Sequence, residues 1–381
     1  MGTLKVNGIR HTGASSDAIS LDSGGTCTAN ITNNLSNRNL IINGAMQVAQ
    51  HGTSVAWAAN GYLTCDRWNH VINNSAGRWT AKQTADGPDG FRRCLELDVT
   101  TADTSIAANE HALLQYKWEG QDVQSLAKGT SSAKKFTISF YVKGNGSATY
   151  MCELFDRTNT RLTRQQFSVT SSWSRVTLTF DNETSNGTLN DDNSHELDLQ
   201  IWLHAGSDFT SGTYTANTWA GQTNADRAVG ISSLFSSTDN YFRITGVQLE
   251  VGDYATDFEQ RSYGDEWLRC ARYFYMLADG SEADGGVAMS QAYSTTQAHA
   301  CVRHPVKMRA APSVYVVEGT NYFKWIGQGA SDLFDDIDSN GYPTTTASEI
   351  YLSGNLSCTA GAAGYFRTAN AAARIGFNAE L

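Results

Sequence analysis

Apolar and polar residues alternate one by one along much of this chain. Phe136, Ile138, Phe140 and Val142 fall on one face of a segment whose other face carries Thr137, Ser139, Tyr141 and Lys143. Val176, Leu178 and Phe180 alternate with Arg175, Thr177 and Thr179, and Leu197, Leu199, Ile201 and Leu203 with Glu196, Asp198, Gln200 and Trp202. A period of two predicts strands, and its one-sidedness predicts antiparallel sheets with one core face and one solvated face. Between Tyr241 and Val251 the apolar set changes face at Gly246, from Phe242 and Ile244 to Val247 and Leu249. A glycine at such a switch predicts a β-bulge.

The segments Asn39 to Gly44 and Gly246 to Gly252 read as the first and last strands of one jelly-roll sandwich, which assigns residues 38–262 to one domain. The connections at 121–134, 156–165, 181–195 and 204–240 are long for hairpins and leave room for functional loops. Ahead of this domain, residues 1–37 read as a short β arm. Thr3 to Val6 and Ala18 to Leu21 alternate, with Gly13, Gly24 and Gly25 as breaks. Two such strands cannot hold a core alone, so the arm either docks on a partner or packs back on its own domain. Residues 263–275 are the best helix candidate: Ser262 and Asp265 form a capping pair, and Trp267, Ala271 and Phe274 share a face. From 276 to 381 strands resume, with Ala298, Ala300, Val302 and His304, then Val314 and Val316, then Ala373, Ile375, Phe377 and Ala379. The expectation is all-β: an antiparallel jelly-roll sandwich, one short linker helix, and a second, smaller β-sandwich.

Composition supports this and narrows the function. The 34 Gly and only 4 Pro, with 16 Tyr, 15 Phe and 9 Trp, suit a sheet protein with many tight turns. The net charge of −10 argues against a nucleic-acid partner, which calls for a basic patch. Seven cysteines, at 27, 65, 94, 152, 270, 301 and 358, show no CxxC or CxxH spacing, so they are expected to be reduced and buried, consistent with assembly in a reducing cytoplasm. No apolar run approaches the roughly 18 residues of a membrane span, and no basic-then-apolar N-terminus predicts export.

Several blocks together resemble bacteriophage tail-fibre and virion-surface proteins that carry a jelly-roll domain similar to carbohydrate-binding modules. They are Asn39 to Gln47, Asp66-Arg67-Trp68, Gln115 to Gln121, Phe136 to Val142, Gly246 to Gly252, and, towards the end, Pro305 to Pro312 and Ile375 to Leu381. The resemblance implies a protein displayed on the virion surface and, as the commonest assembly, a homotrimer. It carries no specific function, since such modules serve in fibres, capsid decorations and baseplates. The absence of a long coiled coil or β-helix departs from large fibres and implies a short appendage.

Candidate chemistry is sparse. No GxSxG, HExxH or GxxxxGK[ST] occurs. Paired carboxylates such as Asp253 with Asp257, or Asp335 with Asp336, are available to a glycosidase, but any chain with 38 acids has such pairs. Asp191 and Asp192, between Asn190 and Asn193, offer oxygen ligands for a structural calcium, which the resemblance also implies; Asn and Asp equally suit a sharp turn. The stronger signal is aromatic. Trp202, beside Asp198 and Gln200, and Tyr141 lie on the polar faces of their strands. An exposed ring beside hydrogen-bonding side chains fits glycan contact, an intersubunit or interdomain contact, or cover by a loop. Three functions follow: a tail fibre docked through residues 1–37 on another virion protein and binding host surface glycan; a capsid decoration or head fibre; or a polysaccharide hydrolase. No enzyme activity, nucleic-acid partner or membrane insertion is expected.

Overall fold

A computed structural model describes residues 6–21, 23–24, 27–29, 37–281, 286–338 and 341–381. The chain is nearly all β, and every strand pairing found is antiparallel. Residues 41–249 build one core between two sheets. The front sheet runs in the order Ala220–Gly221, Arg161–Val169, Ala148–Asp156, His195–Ala205, His111–Glu119, Trp68–Asn73 and Gly61–Tyr62. The back sheet runs Ser174–Phe180, Phe136–Gly144, Tyr241–Val251, Cys94–Thr101, Arg78–Thr84 and Ser54–Ala56. The inward rows are those the alternation picked out: Ile138, Phe140 and Val142 face Leu199, Ile201 and Leu203 across a core with edge-on aromatic pairs such as Phe140–Phe167 at 5.1 Å.

The bulge falls at Gly246. Ser139 pairs with Gln248 and Tyr141 with Thr245, so two residues of the last strand oppose Phe140 alone. Gly246 has φ +63°, and a Cβ there would lie 2.7 Å from the Phe91 ring. Conformation and space both demand glycine.

Other expectations change. Asn39 to Gly44 is not a strand, although it does lie against the last one, with Leu40 N donating to Leu249 O at 2.9 Å and Val247 N to Gly44 O at 2.9 Å. Asn43 and Met46 take left-handed φ of 58° and 56°, and the Asn43 amide bonds Val48 O and Asp66 O instead of extending a ladder. The 156–165 connection is a tight hairpin, with Asp156 paired to Arg161. The helix is Tyr263–Ala271, with Ser262 accepting from Asp265 N as its cap, but Phe274 begins the strand Phe274–Asp279. Of the arm, Gly8–Ile9, Ile19–Leu21 and Cys27–Ala29 form a three-stranded sheet; residues 3–5 of the first expected strand lie outside the described residues. Cys65, Cys94, Cys152 and Cys270 are buried, but Cys301, on the outer face of the strand Ala298–Arg303, is exposed, and Cys358, in the loop after Ala347–Ser353, is half-buried.

Residues 271–379 enclose a second core between a three-stranded sheet, Phe274–Asp279, Arg374–Asn378 and Ser313–Val317, and a seven-stranded one. The junction with the first sandwich is dry and charged. The Arg67 guanidinium stacks 3.5 Å from the Tyr273 ring centroid, pairs with Glu380 and donates to Lys117 O at 2.7 Å. Arg272 grips Glu119 at 2.6 and 2.8 Å, and His51 stacks on Phe274 at 3.8 Å. Arg67 thus joins the two cores.

Candidate functional site

The outer faces of the first sandwich do not stay solvated as the alternation implied, because long connections fold back over both. On the back sheet, residues 252–261 lie across the polar row. Thr137 Oγ1 donates to Gly252 O at 3.0 Å, and Gln248 accepts from Glu259 N at 2.8 Å. Thr137 and Ser139 are buried as a result. Tyr141 is half-buried there, with its ring 5.3 Å from Phe91, which in turn meets Phe258 at 5.0 Å. Tyr141 lies on the opposite sheet from Trp202, so the two rings share no site.

The front sheet keeps an opening. Strands His195–Ala205, His111–Glu119, Trp68–Asn73 and Ala148–Asp156 supply its floor, and the 206–231 connection supplies one wall through Phe209, Gln222, Asn224 and Arg227. The groove encloses about 650 Å³. Trp202 lies at its bottom at 1% exposure, not presented as a free ring. Loop residues cause this: Phe209 packs 5.3 Å from it, and Ala228 and Ile231 join its small outer cluster. The Arg227 guanidinium lies 4.8 Å over the Trp202 ring and 5.0 Å over Phe155.

Beneath the floor runs a charge-balanced network. Arg227 forks onto Glu153, with contacts of 2.5, 3.1 and 3.2 Å, and donates to Gln200 Oε1 at 3.0 Å. Gln200 Nε2 reaches Asp198 at 3.3 Å, and Asp198, fully buried, also takes His195 and the Arg157 guanidinium, the latter at 3.7 Å. Gln200 and Trp202 therefore line the groove, while Asp198 supports it from below. At the other end Asn73 Nδ2 donates to His111 Nε2 at 2.9 Å, which puts the neutral ring's proton on Nδ1. His111 Nδ1 and Trp202 Nε1 have no hydrogen-bond partner among the described residues. Burial lowers the His111 pKa, so the ring is neutral near pH 7.

What the opening presents is a set of amides and aromatics: Asn73, Gln115, Gln200, Gln222 and Asn224, with His111, Phe155 and Phe209, and the exposed Arg157 at one side. Side-chain amides donate and accept at once, which matches vicinal hydroxyls. The two carboxylates beside this set are both paired, Glu153 with the Arg227 fork and Asp198 with His195 and Arg157, which suits binding better than acid–base chemistry. Sequence reasoning missed Phe209 and Arg227, which come from a connection without periodicity, and His111, which opens the strand His111–Glu119.

Asp191 and Asp192 are exposed in a turn where Asp192 accepts from Ser194 N at 2.8 Å. Among the described residues they belong to no cluster of three His, Cys, Asp or Glu ligand atoms. The carboxylates offered to a hydrolase, Asp253 with Asp257 and Asp335 with Asp336, lie away from the groove lining; Asp335, for one, accepts from Asn321 N at 2.7 Å and caps a loop.

No family model matches the chain, and no curated protein does. Solved structures do resemble it in part. The family 11 carbohydrate-binding module of a cellulosomal cellulase from Clostridium thermocellum is 12% identical, covering 52% of this chain and 96% of that one, with TM-score 0.28. The xylan-binding domain of a Paenibacillus barcinonensis protein is 11% identical, covering 53% and 94%, with TM-score 0.26. A cyclase from a Fischerella species is 10% identical, covering 59% and 100%, with TM-score 0.29. At such scores these likenesses add nothing to the topology described above, and the groove must speak through its own residues.

Proposed function

We propose that the chain is a non-catalytic glycan-binding protein and that the front-sheet groove is its binding site. One observation carries this: an open cleft of about 650 Å³ whose lining is dominated by side-chain amides over an aromatic floor, with the charged groups beneath already paired. Pyranose faces would pack on Phe209, His111 and the rim of Trp202, while hydroxyls would exchange hydrogen bonds with Asn73, Gln115, Gln222 and Asn224.

The finer reading is a virion-surface role, as a short tail fibre attached through residues 1–37 and assembled as a homotrimer, with capsid decoration as the second reading. It rests on the sequence blocks quoted above. Some of them meet where the two sandwiches join, through Arg67 with Glu380 and Lys117 with Leu381 O. Binding is tested on an array of bacterial surface oligosaccharides, with Phe209→Ala as the groove variant. The proposal expects wild-type binding that Phe209→Ala weakens at least tenfold; unchanged binding by the variant would move the site elsewhere. Deleting residues 1–37 is expected to abolish incorporation into particles while leaving glycan binding intact.

A further inference from the structure

At the end of the front sheet, three side chains from separate segments converge: Asp103, following Cys94–Thr101; Glu110, preceding His111–Glu119; and His204, near the end of His195–Ala205. One ligand-type atom of each lies within 4.8 Å of the other two. All three residues are more than nine-tenths buried.

Their charges are not balanced by the protein. Three buried carboxylates elsewhere in the sandwich meet a strong cation, Glu153 with Arg227, Asp156 with Lys128 and Glu119 with Arg272, whereas Glu196 is held by neutral donors. Among the described residues Asp103 forms no ion pair, and Glu110 pairs only with His204. Holding two carboxylates together out of water without a cation costs several kcal/mol per ion. A bound cation would relieve that cost.

Geometry says what it is. His204 Nε2 lies 3.2 Å from Glu110 Oε2. That is long for a charge-assisted hydrogen bond, which runs at about 2.7–2.9 Å. It is close to the roughly 3.3–3.4 Å edge of a tetrahedron built from metal–ligand bonds of about 2.0–2.1 Å. The ligands are also braced from outside. His204 Nδ1 meets Ser233 Oγ at 2.7 Å, and Asp103 Oδ2 accepts from Ser75 Oγ at 2.7 Å and Ala76 N at 2.8 Å, with Ser75 itself held by Gly77 N at 3.0 Å. Such bonds to the far side of a ligand are what fixes its tautomer and aim in a metal site.

We propose that Asp103, Glu110 and His204 bind one divalent transition-metal ion, with Zn²⁺ the best match to one imidazole and two carboxylates. Calcium, which takes six to eight oxygens, fits this set poorly. The ion would pin three pieces of chain to one point: the turn at Ser75, the end of the front sheet, and the return of the 206–231 connection at Ser233. Glu110 neighbours His111, and His204 stands two residues from Trp202, so the ion would also stiffen the groove end.

The test uses the full chain purified without a polyhistidine tag. Metal analysis after dialysis is expected to give one Zn²⁺ per chain. EDTA should remove it and lower the melting temperature by several degrees, and Zn²⁺, but not Ca²⁺, should restore it. Asp103→Asn and His204→Asn, checked for fold by circular dichroism, should each lose the ion; should neither fold, the stoichiometry and reversible EDTA effect in the wild-type chain decide. Folded wild-type protein that takes up no Zn²⁺ on calorimetric titration would overturn the proposal and leave a proton-bridged cluster. A full complement of Zn²⁺ in folded Asp103→Asn would overturn it equally. Metal uptake reads this site whatever the groove binds.

Discussion

Trp202 and Tyr141 occupy equivalent places in the sequence pattern, each an aromatic on the polar row of a regular strand, yet the fold surrounds them differently: Trp202 is buried at the bottom of a cleft, and Tyr141 is half-buried under a strap. On the back sheet, the 252–261 segment and Phe91 close over Tyr141, and the polar row spends its hydrogen bonds on the strap: Thr137 on Gly252, Gln248 on Glu259, Arg175 on Thr256. On the front sheet the 206–231 connection touches down on Trp202 but stops at one side, so Asn73, Gln115 and Gln200 still face an opening. The difference lies in where the covering loop ends. A polar strand face becomes a site only when its hydrogen-bonding groups are left with something to bind.

The largest effect expected from breaking this contrast is at Arg227, which belongs to both the groove wall and the network below. Arg227→Met leaves Glu153 buried without its partner and should cost about 3–5 kcal/mol in urea unfolding, with glycan binding lost.

Acid should separate the two sheets next. All histidines in the strands of the first sandwich, at 70, 111, 195 and 204, belong to its front sheet, and its back-sheet strands contain none. His70 is fully buried with neither ring nitrogen partnered, and burial lowers its pKa from 6.5 to about 3. The unfolded chain therefore binds a proton there that the folded chain refuses. The stability is intact above about 6.5 and falls as pH drops towards about 3, by an upper bound of about 4–5 kcal/mol. Hydrogen exchange below pH 6 should show the front sheet losing protection first. His70→Leu should flatten the pH dependence, and an unaltered acid profile in that variant would count against the assignment.

On the sealed side, Phe258→Ala should cost about 1–2 kcal/mol by uncovering Phe91 and Tyr141, while glycan affinity stays within about twofold. The smallest effect is expected at the rim: Gln222→Ala with Asn224→Ala should weaken binding by roughly fivefold to tenfold with stability changed by less than about 0.5 kcal/mol.

Much of this architecture is legible in the residues. Period-two alternation finds the long strands because both sheets bury one face against a single core. Gly246 announces its bulge because the apolar set changes face at a residue whose φ only glycine adopts freely, and Ser262 announces the helix start through its bond to Asp265 N. Asn39 to Gly44 misleads, because side-chain bonds from Asn43 hold the backbone in a left-handed turn that its apolar content hides. The groove is half legible. Gln200 and Trp202 follow from strand periodicity, but Phe209 and Arg227 sit in a connection whose path is set by tertiary contacts with Trp202 and Glu153. Asp103, Glu110 and His204 are brought together only by sheet pairing, so no local spacing betrays them.

The central claim is tested most directly by measuring oligosaccharide affinity for three chains side by side: wild type, the groove variant Phe209→Ala, and the back-face variant Phe258→Ala. Wild type and Phe258→Ala should bind alike and Phe209→Ala at least tenfold more weakly. Equal affinity in all three, or a loss confined to Phe258→Ala, would place the binding surface somewhere other than the front-sheet groove.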